Sequence, residues 1–94
     1  MNRPIQVGDL VISLTGRDKH KCFVVLQIIK TKVLIIDGKT HKINCPKTKN
    51  IKHIKLMFDA GLNYLVENIK QGKLVSNKRL YKLINAKNQK LQED

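Results

Sequence analysis

The sequence predicts a mainly β fold, a small and partly open five-stranded barrel over residues 1–58, followed by a two-helix extension over residues 59–94. Three observations carry that expectation. Short β-branched runs recur between Leu10 and Met57 with turn residues between them. The stretch Gly8 to Ile29 holds two such runs around a loop crowded with charge. After Phe58 the apolar period changes from two to about 3.6. For five strands this short, curling the sheet protects its edges, which favours a barrel over a flat sheet.

Taken in order, Pro4 restricts its neighbour to extended geometry, and Gly8 and Asp9 mark the turn into the first strand. Leu10, Ile12 and Leu14 alternate there with Val11 and Ser13, and Phe23 to Ile29 is a nearly continuous apolar second strand. Lys30, Thr31 and Lys32 make a polar break before a third strand, Val33 to Ile36. Asp37 and Gly38 form the strongest hairpin signal, because a type I′ turn needs positive φ, and they predict that Thr40 to Asn44 pairs back as the fourth strand. Cys45 and Pro46 end that strand, residues 46–50 form a basic connection, and Ile51 to Met57 is the expected fifth.

Leu62, Leu65, Val66 and Ile69 then fall at i, i+3, i+4 and i+7, predicting a helix from about Asp59 to Lys70 with Gly72 as its stop. Ser76 suits the N-cap of a second helix, with Val75 and Leu80 as a hydrophobic staple and Leu80, Leu83 and Ile84 repeating helically. The polar sequence beyond Asn85 is expected to fray.

Charge is the strongest functional signal. Sixteen lysines and three arginines against seven acids give a net charge of +12, far more than solubility requires, and point to a polyanionic partner. Residues 1–58 carry twelve Lys and Arg against three acids, whereas residues 59–94 carry seven against four. Within the first part the charge gathers in two segments. One is the loop in which Gly16 stands beside Arg17, Lys19, His20 and Lys21; the other holds Lys39, Lys42, Lys47, Lys49, Lys52 and Lys55 with His41 and His53. Arg17 can engage a phosphate bidentately, and a glycine at position 16 lets the backbone approach one closely. The plainer reading of both segments is a solvated lysine-rich surface.

Around these segments the expectations are structural. Asp18 beside Arg17 is expected to make a turn-stabilising contact at most, Tyr64 and Tyr81 to pack half-buried on the helices, His41 and His53 to sit as polar residues on strand surfaces, and Phe23 and Phe58 to lie in the core. With so few aromatic residues, stacking on unpaired bases cannot be the main mode of binding, which favours recognition of the shape and backbone of folded RNA.

Other classes find little support. No apolar run is long enough to cross a bilayer and the start, MNRPIQVGDL, lacks a signal-peptide core, so a cytoplasmic protein without membrane association is expected. Cys22 and Cys45 form no CxxC pair and are expected as buried or half-buried hydrophobes, and His20, His41 and His53 lack ligand-type spacing, so neither a metal nor another cofactor is expected. There is no nucleophile elbow or phosphate-cradling glycine loop, and Asp9, Asp18, Asp37 and Asp59 sit at turns, so no enzyme is expected.

The opening stretch resembles the KOW motif of ribosomal proteins and transcription elongation factors: Gly8, Asp9 and Val11 match its entry, Gly16 its loop glycine, and Phe23 to Ile29 its exit. The continuation VLIIDGKTHKINCPKTKNIKHIKL is similar to bacterial KOW-domain RNA-binding proteins related to the eukaryotic and archaeal large-subunit ribosomal proteins of types fourteen and twenty-seven. The likeness spans about Val7 to Leu56, departing where Lys21 and Cys22 stand in place of a second glycine. It implies an SH3-like barrel that binds RNA, chiefly ribosomal RNA or the large subunit with neighbouring ribosomal proteins, and a monomer off the ribosome. The alternative is a protein-interaction module of the transcription or translation machinery, docking through the barrel or through apolar helix faces that include Leu62, Leu65 and Leu83.

Overall fold

Five antiparallel strands form one sheet in the computed structural model, which describes residues 4–58, 61–73 and 75–92, with residues 58 and 88–92 described by backbone alone. The strands are β1 (Leu10–Ser13), β2 (Cys22–Ile29), β3 (Lys32–Ile36), β4 (Lys47–Asn50) and β5 (Ile54–Phe58). A 3-10 turn, Ile51–His53, joins the last two, and helices α1 (Asn63–Lys70) and α2 (Asn77–Gln92) follow. The strand order is β4-β3-β2-β1-β5, an open arrangement in which the last strand returns beside the first.

The apolar continuity of β2 has a direct cause: both of its faces are covered. Val24 and Leu26 join Leu10 and Ile36 in a cluster with Leu62, Leu65, Val66, Leu80 and Ile84 from the helical segment. Phe23 and Val25 point the other way, into a second cluster with Val11, Val33, Ile35 and Ile54. The two-residue period of a strand thus deals alternate side chains to two cores. Each fully buried aliphatic side chain here is worth roughly 1.5–3 kcal/mol, so the helical segment adds to the stability of the sheet through this shared cluster.

Turn chemistry differs from expectation at one place. The tight two-residue reversal lies at Lys30–Thr31, where Ile29 pairs with Lys32 and Lys30 takes a φ of 57°. Asp37–Gly38 instead opens a loop of ten residues, and the fourth strand is Lys47–Asn50, not Thr40–Asn44. Asp37 Oδ1 accepts hydrogen bonds from the backbone N–H groups of Lys39 (2.9 Å) and His41 (2.8 Å), which folds residues 37–41 onto themselves and withdraws those two amides from a ladder. The presumed basic connection is therefore the edge strand, pairing Lys32 with Asn50 and Ile35 with Lys47.

The helices dock through their starts. Ser76 Oγ caps α2 by accepting from Arg79 N–H at 3.0 Å, while Asn77 Oδ1 accepts from Ile43 N–H at 2.8 Å and so ties the cap to the 37–46 loop. Gly38, at φ +82°, lies so close that a Cβ there would collide with the Asn77 carbonyl. The first helix starts at Asn63 rather than near Asp59, which lies outside the described residues, because Gly61 sits at φ +67° and breaks the helical path. Its end is a Schellman motif: Gly72 N–H donates to Ile69 O and Lys73 N–H to Asn68 O. Where fraying was expected after Asn85, the backbone of α2 stays helical to Gln92.

Several side chains sit elsewhere than foreseen. Tyr64 is 51% exposed and Cys45 is exposed, whereas Cys22 is half-buried with its Sγ 3.3 Å from Met57 Sδ. Burial pushes the Cys22 thiol pKa up. His41 lies in the 37–46 loop with its ring 5.7 Å from that of Phe23, and His53 in the 3-10 turn, neither on a strand. The core position expected for Phe58 concerns a side chain outside the described residues.

Candidate nucleic-acid interface

The loop between β1 and β2 is a closed structure. Ser13 N–H donates to Lys21 O (3.0 Å) and His20 N–H to Ser13 O (2.8 Å), while Lys19 N–H reaches Gly16 O and Lys21 N–H reaches Asp18 O. Gly16 at φ +81° and His20 at φ 73° supply the two reversals this closure needs. Arg17, Lys19, His20 and Lys21 are left exposed on its outside.

What holds the loop from below is Asp18, only 4% exposed. Its Oδ1 accepts from Ser13 Oγ at 2.8 Å and from Lys49 Nζ at 2.7 Å, and Lys47 Nζ lies 3.1 Å from Oδ2 as an ion pair without hydrogen-bond alignment. Burial pushes the Asp18 carboxyl upward, but the hydrogen bonds from Lys49 and Ser13 and the nearness of Lys47 outweigh it and hold the group well below the usual carboxylate range. Lys49 is consumed by this role: its side chain is 8% exposed, and its ammonium also donates to Thr15 O at 2.7 Å. Asp18 is thus a buried anchor for edge strand β4, a stronger part than a local turn contact with Arg17.

These links gather segments that are distant in sequence. Asp18 brings Lys47 and Lys49 under the loop, and Leu14 N–H donating to His53 O (2.9 Å) brings in the 3-10 turn that carries exposed Lys52. On the other flank, His20 and Lys21 share a pocket of about 330 Å³ with Lys39, Thr40 and, from α2, Tyr81 and Asn85. Lys42 is exposed in the same loop as Lys39, and exposed Lys55 lies on β5. All ten site positions read from the sequence, Gly16, Arg17, Lys19, His20, Lys21, Lys39, Lys42, Lys47, Lys49 and Lys52, therefore lie on segments tied to one another, with Lys49 and, in part, Lys47 spent on internal pairing.

Tyr81 and Asn85 were not among those positions. Lys39 Nζ stands 5.3 Å from the centroid of the Tyr81 ring, and Asn85 hydrogen bonding together with the Lys39 charge lowers the Tyr81 phenol pKa. No sequence signal joins a tyrosine in the second helix to a loop about sixty residues earlier; only the docking of α2 through Asn77 does so.

Among the described residues no group of three or more His, Cys, Asp or Glu could hold a metal ion, and no helix is long and apolar enough to cross a membrane. Compared with known proteins, the chain matches no family model and no curated protein.

Proposed function

We propose that the chain is a KOW-type RNA-binding protein, its five strands forming an SH3-like barrel that docks in the cytoplasm on structured RNA, chiefly ribosomal RNA of the large subunit, without catalysing a reaction. The observation that carries this reading is the β1–β2 loop itself. Arg17, Lys19, His20 and Lys21 are exposed together on a loop pinned by a buried, doubly paired carboxylate, so the cations are presented by a preorganised scaffold. A strand order that returns the last strand beside the first is the arrangement a small barrel needs and supports the fold part of the proposal. The charge excess of residues 1–58 lies on the same side of the argument.

The rival, a protein-interaction module docking through the barrel or through helix faces that include Leu62, Leu65 and Leu83, loses part of its helical surface, since Leu62 and Leu65 are 1% and 3% exposed in the chain's own core while Leu83 is half-buried. The test is binding to ribosomal RNA fragments and co-sedimentation with ribosomal particles across a salt series. If about five phosphates are neutralised, the logarithm of the binding constant falls with that of salt at a slope of roughly −3.5 to −4.5. Charge reversal of Arg17, Lys19 and Lys21 together should abolish binding. Failure of the unmodified chain to bind any such RNA at low salt overturns the proposal.

A further inference from the structure

The pocket between the β-sheet loops and α2 has a composition that general phosphate binding does not require. Its rim is cationic, with exposed Lys21 and Lys39 and the imidazole of His20. One wall is the half-buried ring of Tyr81, with exposed Asn85 one helical turn further along, and buried Ile84 and half-buried Cys22 add apolar surface. Asp37 also lines it, but its Oδ1 is occupied by two backbone amides of its own loop. A volume of about 330 Å³ is at the small end of ligand pockets.

We infer that this pocket accepts a single nucleotide extruded from the bound RNA, its base against Tyr81 and Ile84, its base edge read by Asn85 and its phosphate held by Lys21 and Lys39. The inference rests on the RNA-binding reading and gives it a second mode, one anchored base beside a surface that otherwise meets phosphates. Three features favour a nucleotide over an inorganic anion. An aromatic face offers stacking worth a sizeable part of single-base affinity. An amide presents both a donor and an acceptor, which a base edge can match and a bare phosphate cannot use in full. The Lys39 side chain is exposed, so its ammonium can exchange its contact with the Tyr81 ring for one with a phosphate when a base arrives. The placement also gives α2 a role at the interface, since Tyr81 and Asn85 follow the cap that joins the helix to the 37–46 loop.

The test uses the full chain and two RNA hairpins with the same stem, one fully paired and one carrying a single bulged adenosine. The chain should bind the bulged hairpin about tenfold more tightly. Raising salt should weaken both complexes and the bulged one more steeply, because Lys39 turns to a phosphate only when a base is seated, while the part of the preference due to stacking should persist at high salt. Tyr81→Ala should bring the bulged and paired hairpins to equal affinity, and Tyr81→Phe should retain the preference. With 2-aminopurine at the bulge, binding should quench its fluorescence, a readout that needs no variant. Equal affinity of the unmodified chain for the two hairpins, an unquenched bulge, or a preference that survives in Tyr81→Ala overturns the pocket. A preference lost while adenosine 5′-monophosphate alone binds through Tyr81 overturns it in favour of a free-nucleotide site. Binding of neither hairpin at low salt is a different failure, that of the RNA-binding reading itself.

Discussion

Replacing Asp18 by Asn keeps the shape of the side chain and removes its charge. The carboxylate is 4% exposed and faces the Lys49 ammonium, whose side chain is 8% exposed, so the change leaves a largely buried cation without its counter-charge. Breaking a fully buried pair costs about 3–5 kcal/mol. Here Lys49 keeps its bond to Thr15 O and Lys47, with 34% of its side chain exposed, can turn to water, which brings the loss to the lower limit of that range or below it, about 2–3 kcal/mol. For a chain of this size that lowers Tm by roughly 10–20 °C. Because the folded-state pKa is depressed, the stabilisation is complete above the unfolded aspartate value of about 4 and is lost progressively as pH falls below it towards the folded value. Urea denaturation of both proteins from pH 7 to about pH 2 should therefore show a wide margin at neutrality that narrows on acidification. A variant within about 0.5 kcal/mol of the parent at pH 7, or a margin that stays constant with pH, would refute the assignment of Asp18 as a charged anchor.

Two further outcomes follow from the same geometry. Lys49→Met should lower stability by about 1–2 kcal/mol with a smaller effect on RNA binding than Lys21→Met, which should leave stability within about 0.5 kcal/mol of the parent and weaken RNA binding several-fold; paired melting and filter-binding measurements check the contrast. Gly38→Ala combines an unfavourable positive φ with a clash against the Asn77 carbonyl and should cost about 2–4 kcal/mol, with early loss of hydrogen-exchange protection at the Ile43 amide that Asn77 holds.

Much of this fold was legible in the sequence because its signals are local. β-Branched runs located β1, β2 and β3; Leu62, Leu65 and Val66 gave the buried face of α1; Ser76 gave the cap of α2. The misplacement of β4 arose where a local rule met a competing one. Asp37–Gly38 satisfies the conformational needs of a tight hairpin, but the Asp37 carboxylate prefers the amides of Lys39 and His41, and Gly38 is required by the approach of α2. The lysine-rich KTKN segment reads as a connection because an edge strand carrying charge lacks an apolar alternation. For the candidate interface, the composition of the β1–β2 loop was visible, whereas the pairing of Asp18 with Lys47 and Lys49 and the arrival of Tyr81 were not. Each of those depends on segments some thirty to sixty residues apart meeting in space.

The alternation along β2 makes one strand an instrument with two channels. Odd positions such as Phe23 and Val25 sense the packing of strand on strand, with Val11, Val33, Ile35 and Ile54, and even positions such as Val24 and Leu26 sense the seating of the helices. A cut after residue 58 would strip cover from Leu10, Val24 and Ile36 at once, so the last third of the chain is no detachable appendage. A strand and its helices that share one set of side chains are bound to stand or fall together.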